Sequence, residues 1–305
     1  MSLLVAVPDA AMLKRLGPLP AGVESTVWAL GSDPVDDRFD LLVLPYMIPA
    51  RALAGLAGQA ATVVQGQMLG FDGVADNLPP GHIYCNAVEV HEAATAELVL
   101  ALILAAQRGI PDFVHAADGG AWAHARYPGL AMQRVLLLGV GGVGRQTAQR
   151  LEPFDVDLVR VARTARRDEF GEVHGWSELE ALLPTADIVV LAVPLNDSTR
   201  GLVDDAFLGA MKHDALLVNV ARGPVVDTDA LTRAVASRRV RAAVDVTDPE
   251  PLPAGHPLWK LPGALISPHV GGDVASMSRR MDRLVREQIA LLLAGEQPRN
   301  VVVRS

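Results

Sequence analysis

Apolar and polar positions along this chain fall into two series of short runs. In the first, Leu3–Val7, Val23–Leu30, Leu41–Leu44, Thr62–Gln65 and Ile83–Cys85 are apolar or β-branched and read as strands. Ala10–Leu16 and Ala50–Ala57 read as helices between them, with Pro and Gly as punctuation. The second series starts at Val135. Its strands are Val135–Leu138, Leu158–Val161, Ile188–Ala192, Leu216–Asn219, Ala242–Val244 and Ala264–Ile266, and its helices Ser177–Leu183, Asp204–Met211 and Thr228–Ala236. Such alternation predicts an α/β fold with parallel sheets covered on both faces. A long helix is expected at His91–Arg108. It is almost wholly apolar after Glu97, which points to burial against a neighbouring subunit. Ser276–Leu293 is amphipathic, and its expected destination is the first series.

The stretch that organises the rest is Arg134–Arg145. Val135–Leu138 has the pattern of a strand buried on both faces, and Gly139, Gly141 and Gly144 follow at G-x-G-x-x-G spacing. Arg145–Leu151 then reads as a helix ended by Pro153. Between strand and helix the first glycine permits a tight turn, the second lets a pyrophosphate approach the backbone, and the third lets helix and strand pack closely. Free N–H groups and the helix dipole face the phosphates. Gly139, Gly141, Gly142, Val143 and Gly144 are therefore candidate dinucleotide-binding residues. The chain reads as two Rossmann-like domains, each a doubly wound parallel sheet. A dinucleotide domain, 88–271, is inserted into a discontinuous substrate domain, 1–87 and 272–305, with a cleft expected between them.

Composition narrows the classes. At 305 residues the chain has room for two domains, and half of its residues are hydrophobic, which excludes global disorder. Lys and Arg total 27 against 35 acids, so no nucleic-acid or anionic-membrane partner is expected, though a local basic cluster can hold a small phosphate. Cys85 is alone, which excludes an internal disulfide and fits a cytoplasmic location. The start, Met1–Val7, lacks the charge and length of a secretory signal, and the apolar run Leu98–Ala106 is too short to span a bilayer. A soluble protein is expected.

In open α/β sheets ligands sit at the carboxyl ends of strands. Strand Leu216–Asn219 runs into Arg222, Ala242–Val244 into Asp245 and then Glu250, and Ala264–Ile266 into His269. An Arg offers a planar fork for a carboxylate or a polarised carbonyl. A His moves a proton near neutral pH, and a nearby carboxylate orients the imidazole and stabilises its charged form. Each residue alone is as easily a surface Arg, a turn Glu or a core His; together, beside a phosphate loop, they point to chemistry.

These motifs resemble those of the D-2-hydroxyacid dehydrogenases: Pro194-Leu-Asn-Asp-Ser-Thr199, Asn219-Val-Ala-Arg-Gly-Pro-Val-Val-Asp227, Asp245-Val-Thr-Asp-Pro-Glu-Pro-Leu252 and Pro268-His269. The resemblance implies that Arg222 binds the substrate carboxylate and carbonyl, that His269 is the acid/base and Glu250 its partner, and that Asp245 lies beside the nicotinamide carboxamide. It places Pro194 and Thr199 at the cofactor. Leu69-Gly70-Phe71-Asp72 is similar to the family's substrate loop, in which backbone amides of Leu69 and Gly70 hold the carboxylate, and Thr95-Ala96-Glu97 to the start of its long helix. Gln67-Met68 stands where many relatives have a small hydroxyl residue, and Asp273 is left to cap the last helix. Formate dehydrogenases of this fold carry Gln at the position of Glu250. Relatives pair through the Leu98–Ala106 region, which implies a homodimer.

The resemblance also bears on the cofactor. A residue about twenty positions past the glycine loop binds the ribose 2′-hydroxyl of NAD when acidic. Here Leu158–Val161 ends at Ala162, and no acid follows until Asp168. Ala162 stands where NAD-preferring relatives carry Asp, and the run from it is similar to the Ser-Arg-Thr or Ser-Arg-Ser of NADP-using reductases. Arg163 and Arg166 could clamp a 2′-phosphate, with the Thr164 hydroxyl as a further donor, so NADP is expected, with NAD possible. The expected activity is reduction of a small 2-oxo acid, of glyoxylate or hydroxypyruvate type, to the D-2-hydroxy acid. Alternatives are a nucleotide-sensing corepressor, or a phosphoglycerate or phosphite dehydrogenase on the same scaffold. Lys14, Arg15, Arg38 and Arg51 form no clear phosphate cluster for the latter. His91-Glu92-Ala-Ala-Thr95 starts like a zinc-protease helix but lacks the second His, and no metal is expected. His82, His115, His124, His174, His213 and His256 read as surface or loop residues, Trp122 and Trp259 as packing anchors.

Overall fold

A computed structural model describes residues 2–35 and 38–305. The chain divides into two compact units, Met1–His91 with Ala275–Ser305, and Glu92–Val274. The first unit opens with β1 (Leu3–Val7), α1 (Ala10–Leu16), β2 (Val23–Val27), β3 (Phe39–Val43), β4 (Ala61–Gln65), α2 (Val74–Asn77) and β5 (Ile83–Cys85). Asp9 starts α1 by accepting a hydrogen bond from Met12 N at 2.7 Å. The apolar faces of β3 and β4 bury Phe39, Leu42, Leu44 and Val64 with Leu53 and Leu56 from the 50–56 segment.

The second unit runs through α3 (Glu92–Gln107), α4 (Ile110–Asp118), β6 (Arg134–Leu138), α5 (Gly142–Leu151), β7 (Asp157–Ala162), β8 (Arg166–Asp168), β9 (Gly171–Gly175), α6 (Leu179–Leu182), β10 (Ile188–Leu191), α7 (Asp205–Ala210), β11 (Ala215–Asn219), α8 (Thr228–Ala236), β12 (Val240–Val244) and β13 (Ala264–Ile266). The chain then returns to the first unit with α9 (Met277–Leu293) and β14 (Val301–Arg304). There α9 is tied to α1 by Arg15 and Asp282, 3.0 Å apart.

The sheet of the first unit has the order β14-β5-β4-β3-β1-β2, parallel except for β14 against β5. The second has β13-β12-β11-β10-β6-β7-β9-β8, parallel except for the β8–β9 hairpin. Strand order reverses at β6, which lies between β10 and β7. That reversal opens a crevice at the carboxyl end of β6, where the glycine loop leaves the sheet. Core clusters cover both faces: Leu136, Leu138, Val189 and Leu217 face one, Leu137, Val190, Leu216 and Val218 the other. Each such fully buried side chain stabilises the fold by roughly 1.5–3 kcal/mol.

Several local expectations need correction. The 50–57 stretch is a 3-10 helix, Ala50–Leu56, and the 177–183 helix is a short α6 flanked by 3-10 turns. Leu183-Pro184 ends it because Pro lacks the amide for a further turn. α5 starts at Gly142, three residues earlier than its polar sequence suggests. Part of the apolar surface of α3 is buried in its own unit: Val99, Leu102 and Ile103 lie in the core, with Leu98, Leu100 and Leu104 half-buried beside them. Exposed apolar side chains lie further on, at Ile110, Phe113 and Val114 of α4 and at Trp122, which is 97% exposed. Trp122 is thus no packing anchor, and Trp259 is also exposed, its indole N–H donating to Pro253 O at 2.9 Å. His82 is buried rather than at the surface. Asp273 does not cap α9, which has Ser276 at its cap position and no side-chain capping bond. Among the described residues no single helix is long and apolar enough to cross a membrane.

Candidate active site

The glycine loop has the geometry that a dinucleotide requires. Gly139 sits at φ 101°, and a Cβ there would collide with Ala192 O at the end of β10. A Cβ on Gly144 would strike Gly139 O, so the third glycine lets α5 pack onto the loop. Nothing lies within 4 Å of a Cβ built on Gly141, which leaves room for a phosphate against the backbone. α5 begins without a side-chain cap, so its first amides remain for a ligand. Gly142 must be small for a different reason: a side chain there would meet buried Glu92 at the start of α3. Sequence spacing could not reveal that contact. Val143 packs into the core beneath the loop, leaving only its backbone for a cofactor.

Beside the loop lies a cleft of about 810 Å³, lined by Gly139–Gly141, Ala162, Arg163, Arg166, Trp176 and residues 192–194 and 196–199. Its size and glycine floor fit a dinucleotide. Pro194 and Thr199 are in its wall, where Thr199 Oγ1 donates to Pro194 O at 2.6 Å and accepts from Asn196 N at 2.9 Å, closing the turn. Arg163 and Arg166 bring two cations to the wall against one acid, Asp197. Thr164 is exposed and is not among the lining residues.

Asp168 is already engaged. Arg160, buried on β7, contacts it at 2.7 Å, donates to Glu172 O at 3.2 Å and lies 5.7 Å from the Phe170 ring. Burial pushes the Asp168 carboxyl up, but hydrogen bonds from Arg160 and Phe170 N outweigh it and hold the group below its usual range. This pair fastens the β8–β9 hairpin to β7 and removes an unpaired negative charge from the approach to Arg166. A lone Arg within Leu158-Val-Arg-Val161 was the available sign of it.

Arg222, Glu250 and His269 come from loops after β11, β12 and β13. Asn219, buried at the end of β11, accepts from Ala221 N at 3.0 Å and donates to Arg222 O at 3.1 Å, shaping the turn that presents Arg222. Gly223 follows because any Cβ would collide with Thr247 O, so the β11 and β12 loops cross in contact. Buried Asp245 organises the third loop: it accepts from Ser267 Oγ at 2.6 Å, Val270 N at 3.0 Å and Gly271 N at 2.9 Å. His269, at φ 52°, donates its backbone N–H to Asp245 O at 2.8 Å. Its ring Nδ1 donates to Glu250 Oε1. That bond raises the imidazole pKa above its ordinary value, burial opposes it, the charges of Glu250 and Asp245 add to the rise, and Arg222 opposes. Nδ1 is committed, so Nε2 is the atom left to exchange a proton with a substrate.

Leu69 and Gly70 lie in the first unit, half-buried in the loop after β4. Gln67, which takes the place of a small hydroxyl residue, is buried and donates from Nε2 to Leu44 O at 2.6 Å, so its side chain is held in the fold.

Residues 100–271 match the family described as "D-isomer specific 2-hydroxyacid dehydrogenase, NAD binding domain". The chain is 34% identical over 211 residues to a human glyoxylate reductase/hydroxypyruvate reductase, covering 66% of this chain and 64% of that protein. It is 30% identical over 274 residues to a glyoxylate reductase of Korarchaeum cryptofilum, covering 86% and 82%. A crystal structure of a D-isomer specific 2-hydroxyacid dehydrogenase from Xanthobacter autotrophicus, in complex with NADPH and MES, superposes with a TM-score of 0.82 at 28% identity, covering 99% of this chain and 98% of that one. Fold and site define an oxidoreductase that works with a nicotinamide dinucleotide. The chain belongs to the D-isomer-specific 2-hydroxyacid dehydrogenase family.

Proposed function

We propose that this protein reduces a small 2-oxo acid of glyoxylate or hydroxypyruvate type to the D-2-hydroxy acid, with NADPH preferred over NADH. The observation that carries the reading is the Glu250–His269 pair, on the strand ends beside Arg222 and in the same unit as the glycine cleft. A dinucleotide held by the glycine loop and the cleft beside it would supply the hydride for the carbonyl carbon. Arg222 holds the carboxylate and polarises the carbonyl oxygen, and His269, kept protonated by Glu250, delivers a proton from Nε2 to that oxygen. The amides of Leu69 and Gly70 hold the carboxylate, which makes the first unit the substrate domain and the second the dinucleotide domain.

Arg163 and Arg166 support the NADPH preference, together with the absence of a carboxylate at Ala162 and the engagement of Asp168 by Arg160. Assembly as a two-fold dimer is supported by the exposed apolar side chains of α4 and Trp122. Sedimentation of the wild type as a monomer at micromolar concentration overturns the dimer.

The test of function is a panel of glyoxylate, hydroxypyruvate, pyruvate and phenylpyruvate with each reduced cofactor, followed at 340 nm. Turnover of the first two with NADPH is expected. Inertness toward every 2-oxo acid overturns the reading.

A further inference from the structure

In the loop after β4, three consecutive carbonyls are each held by a separate donor. Gln67 O lies 2.6 Å from His91 Nε2, Met68 O accepts from Ala87 N at 2.9 Å, and Leu69 O accepts from Asn86 Nδ2 at 2.8 Å. A carbonyl only accepts, so His91 Nε2 carries the hydrogen, and the Asn86 amide is oriented by the same logic. His91 and Asn86 are themselves buried, and the His91 ring stacks on Tyr46 at 5.8 Å.

The consequence lies on the other edge of each peptide. These peptide bonds are trans, the cis bonds of the described residues being at Asp248-Pro249 and Glu250-Pro251. In a trans peptide the N–H points opposite to the C=O. Fixing the carbonyls of Gln67, Met68 and Leu69 therefore fixes the N–H groups of Met68, Leu69 and Gly70, each directed away from its anchor. None of these amides makes a hydrogen bond among the described residues, and all three residues are half-exposed. Unpaired backbone donors at a surface are available to an anion, and a small carboxylate matches them.

We infer that His91 and Asn86 are positioning residues for carboxylate recognition: by holding Gln67 O and Leu69 O they aim the Met68–Gly70 amides at the carboxylate of the substrate. This rests on the 2-oxo acid reading above and adds how the amide row is oriented. Neither side chain has a part in the hydride or proton steps. Loss of either frees one peptide to rotate, which weakens carboxylate binding and leaves the dinucleotide site of the other unit unchanged.

The test compares wild type with His91→Leu, His91→Gln and Asn86→Ser. Leu removes the donor at similar volume, whereas Gln returns an N–H at similar reach. Calorimetry with oxalate, an unreactive dicarboxylate, gives a binding readout independent of turnover. Expected results are a rise of tenfold or more in oxalate Kd and glyoxylate KM for His91→Leu and Asn86→Ser. Kd for NADPH stays at its wild-type value, and His91→Gln recovers most of the loss. If His91→Leu does not fold, judged by its circular dichroism, Asn86→Ser decides the matter through the neighbouring peptide. Wild-type Kd and KM in the folded variants, or a parallel loss of NADPH binding, overturn the positioning role. A wild type that neither binds oxalate nor reduces glyoxylate overturns the oxo-acid reading instead.

Discussion

Both units carry candidate ligand-binding loops at the carboxyl ends of parallel strands, but the two are made from different materials. In the second unit the proposed working groups are side chains and the gaps between them: Arg222, Glu250 and His269 for charge and protons, and Gly139 and Gly144 for space. In the first unit the proposed working groups are peptide N–H donors at Met68, Leu69 and Gly70, whose peptides are held by residues some twenty positions away in sequence, Asn86, Ala87 and His91. Side-chain chemistry is written in the sequence at the position where it acts. Backbone chemistry is written elsewhere, in the residues that turn the peptide. A substitution in the second unit should therefore delete a chemical step, whereas one in the first should degrade aim and spare the step.

The largest expected effect tests that division directly. His269→Ala removes the proposed proton donor, and turnover should fall by roughly 10²–10⁴, the usual worth of a positioned acid/base. NADPH affinity should be unchanged, because the glycine loop and cleft do not include His269. Near-normal turnover in this variant shows that the proton comes from elsewhere and removes the contrast between the units.

A smaller effect is expected where the second unit also relies on charge at its surface. Changing Arg163 and Arg166 together to Ala should raise KM for NADPH about tenfold, equivalent to ~1.4 kcal/mol, while KM for NADH stays nearly constant. Both arginines are exposed, so the wild-type preference should weaken as salt is added. Equal use of both cofactors by the wild type makes the arginines solvated charge with no role in selection. Arg160 is a separate matter. Its ion pair with Asp168 is largely buried, so Arg160→Leu leaves a carboxylate uncompensated and loosens the hairpin that carries Arg166.

Legibility in the sequence follows the same line. Buried parallel strands such as Val135–Leu138 and Ile188–Leu191 are continuous apolar runs and could be read directly. The β8–β9 hairpin could not, since Arg166-Arg167-Asp168 is polar, lies at the sheet edge and has no core-facing residue to set a period. The three strand-end residues of the second unit stood out in the sequence because each follows an apolar strand run, and the fold brings Glu250 and His269 into contact. Asn219 and Asp245 form the turns that bring them forward, but their hydrogen-bond partners become visible only in three dimensions. His91 illustrates the limit: in sequence it begins an incomplete metal motif, and in the fold it holds Gln67 O. The apolar length of α3 is ambiguous in another way, because such a helix can be buried by its own unit as well as by a partner.

The smallest expected effect is a displacement along the pH axis, and its sign follows from the surroundings of His269. The hydrogen bond to Glu250 is the largest influence on the imidazole, followed by burial in the opposite sense and then by the charge of Glu250 itself. The net result is a pKa above the ordinary value. Reduction requires the protonated ring, so the wild-type rate should be level on the acid side and decline as pH rises through that raised pKa. Glu250→Gln removes both the ionic hydrogen bond and the negative charge. Burial and Arg222 then pull the pKa down against Asp245 alone, and the decline should begin at lower pH. Well below both transitions the two enzymes should converge, because each ring is protonated there, apart from any loss of ring orientation. Oxidation of the hydroxy acid needs the neutral ring, so its rate should rise with pH and rise earlier in the variant. The linked stability has the same sign: the contribution of this pair is complete below the unfolded value of about 6.5 and disappears as pH rises through the folded one. Superimposable pH–rate profiles for wild type and Glu250→Gln, measured in the reducing direction with saturating NADPH, would show that Glu250 does not act through His269.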